Sequence, residues 1–377
     1  MNRRIRIGMV GGGPGSFIGS VHRRAANLDG LYELVSGCFS RDPGKNAAAG
    51  RELFLPPERL YATWQEMFEA EKNRPDRMEV VAVTTPNATH FPIAMAALEA
   101  GFDVICDKPM TMTLAEAIRL RDRVRSSGRL FALTHNYTAY PMVREARRMV
   151  RRGELGEIRK VVVEYPQGWL ADAVTEDNKQ GKWRTDPAQA GISCCMADIG
   201  THAENLAEFV TGLRITELCA DLTSFVPGRT LDDDGSVLLR FNNGAKGVLM
   251  ASQISVGEEN PLRIRVYGAK QSLEWMQEMP ENLTLRSNSD DRRILRRGWA
   301  GRGKDFFRIP AGHPEGFLEA FANLYTDMAR AVAAREAGEE YTPEFPTADD
   351  GVRGMAFIEA VVRSSASGAK WCPLPVL

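Results

Sequence analysis

The feature that most constrains this chain is a rhythm in its first third, where short apolar runs alternate with stretches of helical pattern. Ile5–Val10, Leu31–Phe39, Glu79–Thr85, Phe102–Cys106 and Leu130–Thr134 read as strands, and the residues near Pro92–Ala100 and Leu114–Ser126 read as helices. A short run that is apolar along most of its length, without polar alternation, reads as buried on both faces. Strands of that kind separated by helices imply βαβ units and a parallel sheet covered on both sides. Right-handed crossovers then make the fold class α/β, with a doubly wound sheet at its N-terminal end.

That architecture says where to look for chemistry, because such sheets bind ligands in the crevice beyond the carboxyl ends of their strands. Directly after the first strand comes V-G-G-G-P-G-S-F-I-G-S-V-H. Glycines there let the backbone turn sharply and approach a pyrophosphate at the positive end of the following helix. Gly11 and Gly13 fit the first two positions of G-x-G-x-x-G, and the third small residue is Ser16 or, after a short insertion, Gly19. Ser16, Phe17 and Ile18 would begin the helix against the dinucleotide. The second strand ends near Ser40-Arg41, where a basic residue accommodates the 2′-phosphate of NADP; Asp42, one step on, would suit the ribose hydroxyl of NAD. NAD or NADP is therefore the expected cofactor. T-T-P-N-A-T-H at the end of the third run offers Thr85, Asn87 and His90 to it. The fourth run stops abruptly in V-I-C-D-K-P-M, so Asp107 and Lys108 face the same crevice, and an ammonium there can hold a substrate oxygen as negative charge develops on it.

After Asn136 the pattern changes. A helix near Met142–Arg152, a strand at Ile158–Tyr165 and a helix near Gly200–Thr211 lead into strands that pair locally. Asn243-Gly244 between apolar runs is a strong hairpin signal, and Ile264–Tyr267 with Leu273–Met276 forms the next hairpin. Asp290–Lys304, rich in Arg and Gly, reads as a loop, and two amphipathic helices near Pro314–Arg335 and Ala348–Ser365 close the chain. These features predict a dinucleotide-binding domain over 1–136 and, over 137–377, an α+β domain with a large, mostly antiparallel open sheet. In A-D-I-G-T-H, Asp198 and His202 stand four apart, which puts them on one helix face. Oxidising an alcohol needs a base for the hydroxyl proton, a task suited to histidine, with a carboxylate to orient the ring or bind a second hydroxyl. Gln167 and Trp169 in E-Y-P-Q-G-W-L, with neighbouring Tyr165, suit a sugar, aromatic face to C–H face and amide to hydroxyl; Tyr137 and His135 flank Asn136.

The 377 residues fit about two domains, and the formal net charge of −1 gives no electrostatic footprint for nucleic acid or an anionic membrane. No apolar run approaches the ~18–20 residues of a membrane span. The six cysteines form neither a disulfide framework nor a zinc site, so a reducing cytoplasm and no metal are expected.

Taken together, V-G-G-G-P-G-S-F-I-G, T-T-P-N-A-T-H, C-D-K-P, T-H-N-Y, K-W-R-T-D-P and D-I-G-T-H, in this order over nearly the whole chain, resemble the glucose–fructose oxidoreductase / inositol dehydrogenase (Gfo/Idh/MocA) family. The extended glycine loop, W-R-T-D-P and G-H-P-E-G-F resemble sugar dehydrogenases of the levoglucosan dehydrogenase type. The resemblance implies a Rossmann domain, a second domain whose sheet makes homo-oligomers (dimer or tetramer), and oxidation or reduction of a ring hydroxyl on a sugar or cyclitol. It carries Lys108 onto the lysine of the family's E-K-P motif, with Asp107 in place of glutamate, and Asp198 and His202 onto its D-x-x-x-H pair. It places Asn136 by the nicotinamide and Trp183 and Arg184 in a segment that reaches cofactor or substrate. The family's usual glycine run before D-x-x-x-H is replaced by A-G-I-S-C-C-M-A, with Cys194 and Cys195, which leaves substrate size open. Two other functions fit the same motifs: a hydrolase or lyase that keeps its nicotinamide bound, and a nicotinamide-sensing protein without turnover.

Overall fold

The computed structural model of the protein describes residues 3–368 and 370–375. The chain forms two compact units, Met1–Asn136 with Phe317–Val352 and Tyr137–Gly316 with Arg353–Leu377.

In the first unit, β1 (Ile5–Gly11), β2 (Tyr32–Cys38), β3 (Val80–Thr84), β4 (Asp103–Cys106) and β5 (Phe131–Leu133) make one parallel sheet in the order β2-β1-β3-β4-β5. The helices between them are α1 (Phe17–Leu28), α2 (Pro43–Glu52), α3 (Trp64–Lys72), α4 (His90–Glu99) and α5 (Leu114–Ser127). Val80 to Val83 are wholly buried, which is why that run carries no polar residue. The chain leaves β1 for β2 on one side and returns to β3 on the other, so the topological switch lies at the ends of β1 and β3. After β4, the Asp107–Met112 segment is pinned at its far end by a capping box. Thr113 accepts from the Glu116 N–H, and Glu116 accepts from the Met112 N–H.

The second unit begins with α6 (Pro141–Arg151) and β6 (Ile158–Pro166), then two short helices, α7 (Lys179–Arg184) and α8 (Pro187–Ala190). A π-turn at Met196–Gly200 runs into α9 (Thr201–Thr211). Strands β7 (Ile215–Thr223), β8 (Asp234–Phe241), β9 (Lys246–Ser252), β10 (Arg263–Gly268), β11 (Ser272–Met276), β12 (Asn282–Arg286) and β13 (Arg293–Arg296) follow. With β6 and β14 (Trp371–Pro373) they form a nine-stranded sheet in the order β13-β12-β11-β10-β6-β9-β8-β7-β14, antiparallel except for β6 against β9. The β8–β9 hairpin turns at Asn243-Gly244, where Gly244 has φ +89°.

Two expectations need correction. The stretch 290–304 is not all loop, because β13 lies inside it; it is an edge strand whose side chains are mostly exposed, so it lacks the alternation that would reveal it. Residues 317–352 join the first unit rather than the second. Helix α10 (Phe317–Ala337) lays Phe317, Phe321 and Tyr325 against α1, where they meet the rings of Phe17 and His22, and its Arg335 binds the Asp103 carboxylate of β4 at 2.7 Å. Helix α11 (Ala348–Ala366) follows it.

Candidate active site

The glycine loop closes β1 and opens α1. Gly11 has φ +85°, a backbone conformation costly for other residues. Between Ser16 and Gly19, the residue that fills the third glycine role is Gly19. A Cβ there would lie 2.2 Å from the Cα of Gly12, so only glycine lets α1 approach β1 this closely. Ser16 caps α1 instead, its Oγ accepting from the Gly19 N–H at 3.2 Å. Gly13 lies against the Phe39 carbonyl, and a Cβ would come within 2.7 Å of that oxygen. Phe17 and Ile18 form the first turn of α1, Phe17 largely exposed. Beyond β2, Asp42 caps α2 by accepting from the Lys45 N–H at 2.9 Å, and the Ser40 hydroxyl accepts from the Asp42 N–H. Arg41 between them is exposed.

At the end of β3, Thr85 Oγ accepts from the Thr89 hydroxyl, and Asn87 is buried in a short 3-10 turn. His90, expected at the cofactor, turns its ring nitrogens to two loop carbonyls. Its Nδ1 lies 2.8 Å from the Pro109 carbonyl and its Nε2 2.8 Å from the Thr85 carbonyl, so the ring sits between two loops and, when neutral, donates to one of these two oxygens. Burial pushes its pKa down. At the end of β4 the Asp107 carboxylate accepts from the Thr134 hydroxyl at 2.7 Å, and His22 Nε2 stands 3.9 Å from it. Burial alone would raise the Asp107 carboxyl, but His22, Lys108 and Thr134 outweigh it and hold it at about 2. His135 is pushed down to about 3, by burial first and the Lys108 charge second, and is therefore a neutral ring. The buried side-chain nitrogen of Asn136 has no hydrogen-bond partner. A glycine cradle at a helix start and an unsatisfied buried amide donor at the strand ends fit a dinucleotide, whose carboxamide offers an acceptor.

In the second unit, Asp198 lies within the π-turn rather than capping it. Its N–H already donates to the Cys194 carbonyl, and the capping carboxylate is that of Asp232, which accepts from the Cys194 and Met196 N–H groups at 2.9 Å each. Asp198 Oδ2 accepts from Arg184 Nε at 3.0 Å and from Gln253 Nε2 at 2.8 Å. The Arg184 guanidinium lies over the Trp183 ring, 4.2 Å from its centroid, and 5.6 Å from that of Trp169. The His202 ring meets Tyr137 edge-on, with centroids 4.8 Å apart. The Tyr137 hydroxyl, expected to meet substrate, is buried and engaged with the Tyr165 hydroxyl at 2.5 Å and Asn260 at 3.1 Å. Burial raises both tyrosines, so both hydroxyls stay protonated. Asn260 also accepts from Gln167 at 2.7 Å, and Gln167 accepts from the Trp169 indole at 3.0 Å, with Trp169 still 40% exposed.

Sequence reasoning missed Gln253 and Asn260. Gln253 ends an expected strand, S-V-L-L-R-F-N-N-G-A-K-G-V-L-M-A-S-Q, which was the available signal; Asn260 sits in a loop with none. Trp183 and Arg184, expected at cofactor or substrate, belong with Asp198 in the second unit's cluster. Cys194 and Cys195 are buried free thiols pushed up by burial, consistent with small packing residues.

Comparison with known proteins gives two family matches. Residues 5–135 match the oxidoreductase family, NAD-binding Rossmann fold, and residues 143–274 match the GFO/IDH/MocA C-terminal domain. The chain is 35% identical to the uncharacterized oxidoreductase YfiI of Bacillus subtilis, over 98% of this chain and 97% of the other. It is 27% identical to the levoglucosan dehydrogenase of Pseudarthrobacter phenanthrenivorans, over 99% of each. The crystal structure of an inositol dehydrogenase homolog from Azotobacter vinelandii complexed with NADH and myo-inositol superposes with a TM-score of 0.91 at 38% identity, covering 99% of this chain and 98% of that one.

Proposed function

The chain belongs to the Gfo/Idh/MocA family of NAD-binding oxidoreductases, and on that premise we propose that it interconverts a ring secondary hydroxyl and the corresponding ketone of a monosaccharide-sized sugar or cyclitol. The first unit is an NAD-binding Rossmann domain. The bound nicotinamide supplies the hydride acceptor or donor, and Gly11, Gly13, Ser16 and Asn136 would hold the dinucleotide. Lys108 holds the reacting oxygen, His202 takes its proton, and Asp198 binds a second hydroxyl. Trp169 gives an apolar ring face to the substrate, and Gln167 gives it an amide.

One observation carries the reading. Asp198 Oδ2 is held by Arg184 and Gln253, while the rings around His202 bury their own hydroxyls in one another, so the polar groups beside the D-x-x-x-H pair are already oriented before any substrate arrives. Such preorganisation suits a site that must recognise several hydroxyls at once. The family resemblances favour myo-inositol and levoglucosan as first probes. Leu238, Tyr267 and Ile294, exposed on one face of the second unit's sheet, are the proposed homo-oligomer surface.

The test is nicotinamide absorbance during incubation with myo-inositol, levoglucosan and common pyranoses, with NAD+ and NADP+ in parallel. A rise with one substrate class supports a dehydrogenase. No rise with any of them, in protein that retains bound nicotinamide, would replace this reading with a hydrolase or sensor.

A further inference from the structure

Three of the five histidines of the chain, His22, His90 and His135, are buried in the first unit around the Asp107–Pro109 segment. His90 ties loops together and His135 is neutral. His22 has neither task. It lies on α1 at 0% exposure, edge-on to the Phe321 and Tyr325 rings at 5.2 Å and 5.9 Å, where an apolar side chain would pack as well. Burying a polar ring there costs free energy unless its nitrogens are used.

The partners fix how they are used. His22 Nδ1 is 2.8 Å from the Tyr325 hydroxyl, and burial keeps that hydroxyl protonated. A protonated phenol can donate or accept, and it is the carboxylate facing Nε2, with Asp107 Oδ1 at 3.9 Å, that favours the arrangement in which the hydroxyl donates to Nδ1 and the ring proton sits on Nε2. If the ring carries two protons, Nε2 holds one all the same. The separation exceeds a hydrogen bond and Nε2 has no hydrogen-bond partner among the described residues, so it acts on the carboxylate electrostatically, at the same oxygen that accepts from Thr134 at 2.7 Å. The titratable or charged groups facing this carboxylate are His22 from α1, Tyr325 from α10, His90 from α4, His135 from the end of β5, and Cys106 and Lys108 from its own segment.

We propose that His22, acting through Asp107, is a positioning residue for Lys108: its Nε2–H and the Thr134 hydroxyl hold the Asp107 carboxylate in one orientation and so set the charge beside the lysine ammonium. The inference rests on the role given above to Lys108. It also accounts for the aspartate in the D-K-P motif. A short carboxylate cannot turn far from its strand, and Thr134 and the α1 histidine both meet it at Oδ1.

The experiment is competitive amine labelling of the full-length protein with trace acetic anhydride at several pH values, with the yield at Lys108 read by peptide mass spectrometry. His22→Phe keeps ring packing and loses the N–H. The carboxylate then leans more on Thr134 and on the Lys108 ammonium, and labelling at fixed pH should fall about threefold or more. His22→Gln can present an amide N–H near the place of Nε2 and should stay within about twofold of the parent. A merely structural ring would give the opposite order, Phe tolerated and Gln disturbed, and that order or unchanged labelling in His22→Phe overturns the proposal. Should the His22 variants not fold, Tyr325→Phe frees Nδ1 to take the proton, turns a lone pair on Asp107 and should slow labelling in the same direction; no slowing there overturns it equally. The two readings fail separately. If Lys108→Met retains turnover of the substrate found above, the catalytic role of the lysine falls whatever the labelling; if that variant is inactive while labelling ignores His22, only the present inference falls.

Discussion

A hydroxyl carbon that gives up a hydride must also release its proton, and the residues that could serve differ in what surrounds them. Lys108 adjoins a carboxylate held ionised, with its acidity at about 2, which favours a role in holding oxygen rather than in removing a proton. His202 lies against the ring of Tyr137, whose hydroxyl is committed to Tyr165 and Asn260. Replacing His202 by Asn should lower kcat by about 10²–10⁴-fold, the usual worth of a general base, with NADH affinity by fluorescence titration unchanged; retained kcat would remove the histidine from the chemistry. Arg41 poses the cofactor question. Asp42, the residue suited to the NAD ribose, caps α2, and Arg41 is exposed beyond β2. If Arg41 serves NADP by binding a 2′-phosphate, Arg41→Ala should raise the KM for NADP+ by about 10–100-fold, as expected for a lost charged hydrogen bond, and leave that for NAD+ nearly constant. Equal effects on both cofactors would show that it does not discriminate.

At the scale of elements, the glycine turn works through the distance between β1 and α1. Gly19→Ala places a methyl 2.2 Å from the Gly12 Cα, a backbone atom that cannot step aside. The helix must move, and the variant should lose about 1–3 kcal/mol, typical of an overpacked site, together with most of its affinity for NADH; a thermal melt and a fluorescence titration read the two, and an unperturbed variant would show that the approach is looser than it stands here. That the third glycine is Gly19 and not Ser16 could not be read from the motif, because both spacings are sterically sensible until α1 is in place. The parallel sheet was legible because its strands are short, dominantly apolar runs separated by helical stretches, and the β8–β9 hairpin because Asn243-Gly244 permits few other turns. The lysine at the end of β4 was legible for the same reason, as a charged stop to a core strand. What escaped was non-local. Asn260 meets Tyr137 from more than a hundred residues away, Asp232 rather than Asp198 caps the π-turn, and α10 goes back to the first unit because its aromatic face finds His22 and Phe17 there. None of these partners leaves a periodicity in its own neighbourhood.

For the whole molecule, the buried imidazoles make acid stability a property of the first unit. His135 is neutral in the fold, with a pKa of about 3 against an ordinary ~6.5, so the unfolded chain binds a proton there that the folded one refuses. The sign follows directly. Stability from this group is complete above the unfolded value and drains as pH falls from ~6.5 toward 3, at up to about 1.4 kcal/mol per pH unit, or about 2 kcal/mol between pH 7 and pH 5. Burial shifts His90 the same way and adds to the loss. Asp107 contributes in a lower window, present above the ordinary carboxylate range and lost as pH falls through about 2, so it leaves the slope between pH 7 and pH 5 untouched. Because the two units have separate sheets, the loss should appear in one and not the other. Amide exchange of β3, at the centre of the first sheet, should quicken steeply from pH 7 to pH 5 once corrected for intrinsic chemistry, while β9, central to the second sheet, should change little. His135→Gln carries no titrating ring and should flatten the β3 dependence by the larger part of that ~2 kcal/mol. An unaltered slope in the variant would mean that the ring accepts its proton in the folded state, and that Lys108 stands farther from it than the electrostatics of this crevice imply.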